Sequence, residues 1–437
     1  MSAAARRDRG AVSSCDAQEA ERWLLSLELF GMRFGLDRMR RLMTALDSPN
    51  EGFAAIHVVG TNGKSSTVRM IAALLHHHGV RTGAYLSPHL VSFTERIRVG
   101  ADDVSHEQFA AAVGRARRAA ELVDRTLDED DRVTQFEALT AAAYALLAAA
   151  PVDVAVIEAG LGGRWDATNV IGAQVAVLTN IGLEHTRWLG PTVRDIAREK
   201  LAVVSPGSTL VLGPDLHPDA EHEALVVAER EGATIVRAPA EPPAVLGDGL
   251  RARGAFQRRN FAVACAAARA HLGHLDDDAV RAAAGSTVVP GRFDVVRGGD
   301  DSPEVVLDGA HNPGGIEALV ETLPGFLAGR PLVAVLSVLD DKDAAAMLGA
   351  LLPLCAGAVF TANANPRALS PATLDSLAGQ VAGEGWDGST RVEPDPHRAV
   401  ALAEQLAGAD GVVLATGSIY LVADLMRPDG AGRASML

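Results

Sequence analysis

The stretch Ile56–Thr67, IHVVGTNGKSST, decides the fold of this chain. It begins inside an apolar run, 54–59, that predicts a buried strand, and it leads into apolar residues spaced as on one face of a helix. The turn between them contains Gly60 and Gly63 and ends in Lys64 followed by serine. A strand, a glycine-rich turn with Lys-Ser and a helix, in this order, are typical of a phosphate-binding loop.

The motif is a shortened form of the generic pattern, because Val58 stands where a further glycine is usual. The alternative interpretation is an ordinary strand–helix turn that contains two glycines. In the phosphate-binding interpretation, backbone N–H groups and the positive end of the helix face the phosphates, and Lys64 adds a charge. A hydroxyl of the same turn then reaches a magnesium ion.

The composition of the chain limits its function. At 437 residues we expect two or three domains, and 48% apolar residues are ample for packed cores. A net charge of −15 disfavours a nucleic-acid surface, which needs clustered Lys and Arg. No apolar run approaches the roughly 20 residues of a membrane span, and we expect no signal peptide. The widely spaced Cys15, Cys265 and Cys355 predict reduced thiols of a cytosolic protein.

Lysine is rare in this chain. Of 40 basic residues only Lys64, Lys200 and Lys342 are lysines, so arginine supplies nearly every other positive charge. Lysine differs from arginine because its ammonium group is compact and can lose its proton to become a nucleophile. The three lysines are therefore candidates for specific chemistry. The alternative is chance, above all for Lys342.

Polar side chains follow several apolar runs that predict strands. Glu158 and Asp308 come directly after such runs, and His185 follows another by a few residues. Apolar strands that alternate with helices indicate parallel sheets covered on both faces, and ligands collect at the carboxyl ends of such strands. We therefore expect Glu158 and His185 to contact a metal ion or phosphate at the same edge as the glycine-rich turn.

The domain organisation follows from where the strand–helix pattern stops and starts again. The turn-rich segment near Gly285–Pro290 separates two such patterns. The predicted fold is α/β with two domains, an N-terminal parallel-sheet domain like those of P-loop ATPases and a smaller C-terminal Rossmann-like α/β domain. The predicted boundaries are a disordered tail at 1–20, the ATP-binding domain at 21–287 and the C-terminal domain at 288–437.

Three further signals concern short stretches of the chain. Thr134 followed three residues later by Glu137 predicts a capping box at the start of an alanine-rich helix, and a substrate role for Glu137 is the alternative. The segment Thr94–Ile97 is predicted to lie in a loop. The run Asp124–Arg132 is predicted to be a solvated acidic loop without chemistry.

From about Trp23 onward the chain resembles a known family. It is similar to the bifunctional dihydrofolate synthase/folylpolyglutamate synthases, within the Mur-ligase-type ATP-dependent ligases. The chain departs from the usual family pattern at Ser65 (usually Gly), Leu201-Ala202 (usually Ala-Gly) and Phe256 (usually His). The resemblance is carried, in order, by FGMRFGLDRM, GTNGKSST, SPHL with TERI, QFEALT, GLGGRWDATN, TNIGLEHTRWLG, AREK, FQRRN, GRFD, DGAHNP, LDDKD and ATGSIY.

The resemblance implies an ATP-dependent carboxylate–amine ligase. Such an enzyme adds L-glutamate to dihydropteroate, to the glutamate tail of (tetrahydro)folates, or to both, through an acyl phosphate, and releases ADP and phosphate. It implies ATP and two Mg²⁺ ions, small-molecule substrates, no nucleic-acid or membrane partner, and a cytoplasmic, monomeric protein. The alternative is a Mur-type ligase that joins an amino acid to a UDP-linked cell-wall precursor.

The resemblance also implies roles for individual residues. The residues implied for catalysis are Lys64, Lys200 and His311. Those implied for metal binding are Ser87, Glu158, His185 and Lys200 as a carbamate. Those implied for ATP binding are Thr61, Asn62, Gly63, Lys64, Ser65, Ser66, Asn260, Arg292, Asp308 and His311. Those implied for binding the pterin-bearing substrate are Thr134, Gln135, Phe136, Glu137, Trp165, Asp166 and Ala167.

Overall fold

The computed structural model of the chain describes residues 16–28, 35–128, 130–299, 302–381 and 386–427. Within these ranges the chain forms two β-sheets with helices between the strands. The strands of the first sheet all precede the predicted boundary at residue 287, and those of the second all follow it. Most of the predicted tail lies outside the described residues, but residues 17–20 already belong to the first helix.

The first sheet has eight strands in the order β4-β3-β2-β5-β1-β6-β7-β8. Its pairs are parallel except for β2–β3 and β3–β4, which are antiparallel. The strands are β1 (Ala54–Val59), β2 (Thr82–Tyr85), β3 (Ile97–Val99), β4 (Asp102–Asp103), β5 (Val154–Glu158), β6 (Val175–Leu178), β7 (Thr209–Leu212) and β8 (Thr234–Arg237).

Ten helices accompany this sheet in the described ranges. They are α1 (Ala17–Ser26), α2 (Asp37–Ala45), α3 (Lys64–His77), α4 (His106–Asp124), α5 (Gln135–Ala149), α6 (Thr186–Leu189), α7 (Val193–Lys200), α8 (Pro218–Glu231), α9 (Ala255–Leu272) and α10 (Asp277–Ser286). The capping box predicted at Thr134 is confirmed, because its hydroxyl accepts from Glu137 N and the Glu137 carboxylate accepts from Thr134 N.

The second sheet has six strands in the order β13-β12-β11-β14-β10-β9, parallel except for β9–β10. The strands are β9 (Asp294–Gly299), β10 (Ser302–Leu307), β11 (Leu332–Leu336), β12 (Gly357–Phe360), β13 (Ser389–Val392) and β14 (Val412–Thr416). Its helices are α11 (Pro313–Leu327), α12 (Ala344–Leu351), α13 (Pro371–Val381), α14 (Pro396–Ala407) and α15 (Ile419–Met426).

Both sheets are covered on their two faces, as continuous apolar strands predict. Along β5, Val154 and Val156 pack into the apolar cluster that includes α3 and α9, whereas Ala155 and Ile157 pack into the one that includes α4 and α5. This alternation follows from the two-residue period of a strand. The α/β prediction is therefore confirmed. No helix in the described part of the chain is long and apolar enough to cross a membrane.

The segment Thr94–Ile97 differs from its prediction as a loop. Phe93–Arg96 forms a short 3-10 turn that leads directly into β3, and the Arg96 side chain is fully buried. The polar composition of TERI does not indicate this burial, because the guanidinium group is enclosed only in the folded chain. Arg96 Nε donates to His89 Nδ1 at 2.9 Å.

Candidate active site

The turn after β1 has the geometry that its glycines predict. Gly63 adopts φ +80° at the start of α3, and a Cβ on Gly60 would lie 1.9 Å from Thr179 Oγ1. No larger residue fits at Gly60 without displacing the loop after β6. The same loop fixes the turn, because Thr179 Oγ1 donates to Asn62 O at 2.7 Å and Asn180 Oδ1 accepts from Asn62 N at 2.8 Å.

Two lysine side chains converge on this turn. Lys64 Nζ donates to Gly60 O and Thr61 O, both at 3.0 Å, and Lys200 Nζ donates to Gly60 O at 2.8 Å. Lys200 is 5% exposed. Burial and the nearby charge of Lys64 lower the pKa of Lys200 from 10.5 to about 7.

Lys200 is therefore not a surface lysine whose charge is paired with that of the adjacent Glu199. Glu199 instead accepts from Arg164 Nε at 2.9 Å. Lys200 is the last residue of α7.

A buried carboxylate lies beside the turn. Glu158, at the carboxyl end of β5, accepts from Ser65 Oγ at 2.8 Å through Oε1 and from Ser87 N at 3.1 Å through Oε2. Burial raises the pKa of Glu158, although the positive charge of Lys64 and the two hydrogen bonds oppose the rise. Ser65, one of the departures from the family pattern, thus contacts a residue that the resemblance assigns to the metal.

The loop after β6 brings a second carboxylate to the cleft between the two sheets. Glu184 Oε1 lies 3.2 Å from His311 Nε2 and 3.1 Å from Lys342 Nζ, and both partners belong to the second domain. Burial alone would raise the pKa of Glu184, but the hydrogen bond and charge of His311, with Lys342, hold it well below its ordinary value. Burial lowers the pKa of the neighbouring His185 to about 4, which keeps its ring neutral near pH 7.

Other residues expected at the nucleotide also meet near the turn. A Cβ on Gly63 would lie 2.5 Å from Asn260 Oδ1, so Asn260 of α9 packs directly on the turn. The buried Asp308 accepts from Phe293 N and Ala310 N, both at 2.7 Å. A Cβ on Gly309 would lie 2.0 Å from Arg292 Nη1, so the Arg292 side chain packs directly on Gly309.

The residues expected to bind the pterin-bearing substrate lie around α5. Glu137 accepts from Arg38 Nε with both oxygens at 3.0 Å, and Arg38 Nη1 reaches Asp131 Oδ1 at 2.7 Å. The run Asp124–Arg132, predicted to be a solvated loop without chemistry, thus contributes Asp131 as a further partner of Arg38. A Cβ on Gly160 would lie 2.5 Å from Phe136 Cζ, so the Phe136 ring packs directly on Gly160.

One cavity of about 920 Å³ contains nearly all of the predicted site residues. Two are absent from its lining. Lys200 lies beneath the glycine-rich turn, and Gln135 is fully buried and donates to Leu24 O at 2.8 Å. Sequence reasoning missed Arg38, Asn180, Glu184 and Asn312 as site residues, although each lies in or beside a motif quoted above. The predicted residues that line the cavity are Thr61, Asn62, Gly63, Lys64, Ser65, Ser66, Ser87, Thr134, Phe136, Glu137, Glu158, Trp165, Asp166, Ala167, His185, Asn260, Arg292, Asp308 and His311.

Comparison with known proteins places this fold and site in a class. Residues 291–419 match the family model described as "Mur ligase, glutamate ligase domain", which covers most of the second sheet. The α/β fold with two sheets is that of the Mur-type ligases.

The chain belongs to the dihydrofolate synthase/folylpolyglutamate synthase family. It is 38% identical over 381 residues to the Mycobacterium tuberculosis dihydrofolate synthase/folylpolyglutamate synthase, covering 79% of this chain and 77% of the relative. The M. tuberculosis folylpolyglutamate synthase complexed with ADP superposes with a TM-score of 0.87 at 34% identity, over 96% of this chain and 99% of the other. The Yersinia pestis bifunctional enzyme complexed with AMPPNP and Mn ion gives 0.78 at 29% identity, over 94% and 97%.

Proposed function

We propose that this protein is an ATP-dependent ligase that adds L-glutamate to dihydropteroate and to the glutamate tail of tetrahydrofolates. The substrate carboxylate attacks the γ-phosphorus of ATP, ADP leaves, and an acyl phosphate forms. The amine of L-glutamate then attacks the acyl carbon, loses a proton and displaces phosphate. We also propose that the protein acts as a cytoplasmic monomer without nucleic-acid or membrane partners.

The observation that carries this proposal is the convergence of Lys64, Lys200 and Glu158 on the turn after β1. A substrate carboxylate and a triphosphate repel each other, so they meet only where fixed positive charge neutralises them. Lys64 supplies that charge beside backbone N–H groups at the start of α3. The same turn faces the second domain, so ligands bound there contact both domains.

ATP is assigned to the cleft side of the cavity. Thr61, Asn62, Gly63, Ser65 and Ser66 surround its phosphates together with Lys64. From α9 and the second domain, Asn260, Arg292, Asp308 and His311 complete the nucleotide site. This division between domains means that closure of the cleft assembles the site and excludes water from the acyl phosphate.

The residues assigned to Mg²⁺ fit a hard divalent cation. Glu158 is a buried carboxylate whose raised pKa indicates that its negative charge is incompletely compensated within the protein. Ser87 lies beside Glu158 and contributes a hydroxyl oxygen, and the neutral ring of His185 is in the protonation state that binds metals. When bound, Mg²⁺ neutralises phosphate charge and orients the triphosphate.

Lys200 is assigned to the metal site as a carbamate. Only a neutral amine adds CO₂, and its lowered pKa leaves a large neutral fraction of Lys200 at pH 7. The product is an anionic oxygen group, which arginine cannot form. In the structure, the Lys200 amine without CO₂ donates to Gly60 O. Gly60 belongs to the phosphate turn, which the carbamate would support.

The pterin-bearing substrate is assigned to the half of the cavity around α5. Phe136 and the 45% exposed Trp165 offer aromatic faces for the pterin ring, and Thr134, Glu137, Asp166 and Ala167 surround them. The family resemblance implies a substrate role for Gln135 as well. Its side chain instead donates to Leu24 O and so supports the position of α1 beneath the site. We therefore give Gln135 a supporting role.

The test is a phosphate-release assay with purified protein, Mg²⁺, ATP and alternative acceptors. Dihydropteroate and tetrahydrofolate are each expected to give release that depends on L-glutamate, with a glutamylated product in the mass spectrum. A UDP-linked cell-wall precursor with its amino acid is the matched control and is expected to give none. Release with the UDP-linked acceptor alone would replace the folate assignment with the Mur-type one.

A further inference from the structure

The loop that connects β2 to β3, residues 87–96, crosses from the first domain to the second. We call it the Ser87 loop. It begins at Ser87, whose N–H donates to Glu158 of the first sheet. Three residues later Leu90 is 7% exposed and belongs to the apolar cluster of Leu421 and Val422 in α15. The tip of the loop is therefore packed in the core of the other domain.

A buried arginine side chain also binds the backbone of the loop tip. Arg427, directly after α15, donates through Nη2 to Leu90 O and Val91 O, both at 3.2 Å. It is 9% exposed, so these bonds are shielded from water. Beside them, a Cβ on Gly291 would lie 3.1 Å from Leu90 Cδ1 and 2.7 Å from Val422 Cγ1. The tip thus lies against the residue that precedes Arg292.

The last residues of the loop hold its tip and His89, the residue before the tip. The Glu95 carboxylate accepts from three successive amides, those of Leu90, Val91 and Ser92, at 2.9, 2.7 and 2.6 Å. The fully buried Arg96 donates through Nε to His89 Nδ1 at 2.9 Å. Only Pro88 separates His89 from Ser87, so a displacement of the tip that moves His89 also acts on the backbone of Ser87.

We propose that Leu90 and Arg427 are positioning residues that set the place of Ser87 beside Glu158 from the second domain. They act through the Ser87 loop and touch no substrate. The inference rests on the proposed assignment of Ser87 to the divalent cation. Through Gly291 it also links the metal side of the site to Arg292 on the nucleotide side, so that both respond to the position of the second domain.

The experiment is a Mn²⁺ titration followed by electron paramagnetic resonance, with the full chain and saturating ADP. Arg427→Met removes the donors and keeps the aliphatic stem, and Leu90→Ala removes the apolar contact. Each is expected to weaken Mn²⁺ binding about tenfold, the size typical of groups that orient metal ligands. Val91→Ala is the control, because this side chain is 42% exposed on the same loop and should stay within twofold of the wild type.

Binding of dihydropteroate, measured by calorimetry, is expected to stay within twofold in all three variants, and this separates a local effect from general unfolding. If Leu90→Ala does not fold, Arg427→Met decides. Wild-type Mn²⁺ affinity in Arg427→Met, or an equal loss in Val91→Ala, would overturn the inference while leaving the proposed function intact. Failure of the wild-type protein to bind Mn²⁺ with ADP would overturn the metal assignment and this inference with it.

Discussion

Asn62 and Asn312 exchange two side-chain hydrogen bonds across the cleft between the sheets. Asn62 Nδ2 donates to Asn312 Oδ1 at 3.2 Å, and Asn312 Nδ2 donates to Asn62 Oδ1 at 3.0 Å. One residue lies in the phosphate turn and the other caps α11, where Asn312 Oδ1 also accepts from Gly315 N at 2.8 Å. The two domains are thus joined at the position where phosphate is proposed to bind.

We expect Asn312→Ala to lower kcat/KM for ATP about tenfold, since a lost pair of partly buried hydrogen bonds costs about 1–2 kcal/mol. Combining it with Asn62→Ala should cost less than the sum of the two single losses, because both changes break the same contact. Asn312→Ser is the control that keeps an N-cap oxygen but cannot reach Asn62. If Asn312→Ser is as active as the wild type, the loss in Asn312→Ala reflects the helix cap and the contact across the cleft is unimportant.

Lys64→Arg tests whether charge alone suffices in the phosphate turn. Lys64 Nζ lies 3.0 Å from both Gly60 O and Thr61 O, a space shaped for a compact ammonium rather than a planar guanidinium. We expect turnover to fall to less than about a tenth of the wild-type rate, since a lost phosphate contact costs on the order of 2–4 kcal/mol. Steady-state rates at saturating ATP check this, and a variant above that level would contradict it.

The sequence predicted most of the central strands because their apolar runs are continuous. The apolar runs at 54–59, 175–178 and 332–336 coincide with β1, β6 and β11, and the apolar segment at 419–426 coincides with α15. The strands β3, β4, β7, β8, β9 and β13 were not predicted. Most of them are short, half-exposed or at a sheet edge and so have no continuous apolar run, but β7 is buried. Arg96 illustrates the limit, because its complete burial depends on neighbours that sequence spacing does not reveal.

The site was predictable where a motif carries its own geometry, as in the phosphate turn. Glu184 was missed because its importance arises only when the second domain brings His311 and Lys342 to it. Gln135 is the opposite case. It stands within the QFEALT motif, yet the helical period turns its side chain away from the cavity and toward α1.

Ser65→Ala examines the contact between the phosphate turn and Glu158. Removing the hydroxyl deletes the 2.8 Å hydrogen bond that fixes one oxygen of a fully buried carboxylate. We expect Mn²⁺ affinity in the presence of ADP to fall roughly tenfold, because groups that orient a metal ligand contribute about that much. Ser65→Thr keeps the hydroxyl and is the matched control. Unchanged affinity in Ser65→Ala would show that Glu158 needs no such support.

Carbamylation of Lys200 is tested by the response to CO₂. Lys200→Ala should abolish ligation while retaining ADP binding, and Lys200→Arg should be equally inactive because it cannot form a carbamate. Added short carboxylates are expected to restore part of the activity of Lys200→Ala by replacing the missing anionic group. Carbon NMR with labelled bicarbonate should show a carbamate signal in the wild type that both variants lack. A fully active Lys200→Arg variant without that signal would refute the assignment.

The pH dependence of stability tests the bare Lys200 amine, measured without CO₂ or ligands. Its pKa is about 7 in the folded protein and 10.5 ordinarily, so between these values the unfolded chain binds one more proton than the fold. The burial penalty is therefore complete below pH 7 and disappears as pH rises toward 10.5. We expect Lys200→Met to be more stable than the wild type at pH 6.5, with the difference shrinking steadily toward pH 10. Thermal unfolding of both proteins across this range measures it. A difference that stays constant with pH would mean that the folded protein keeps Lys200 charged throughout.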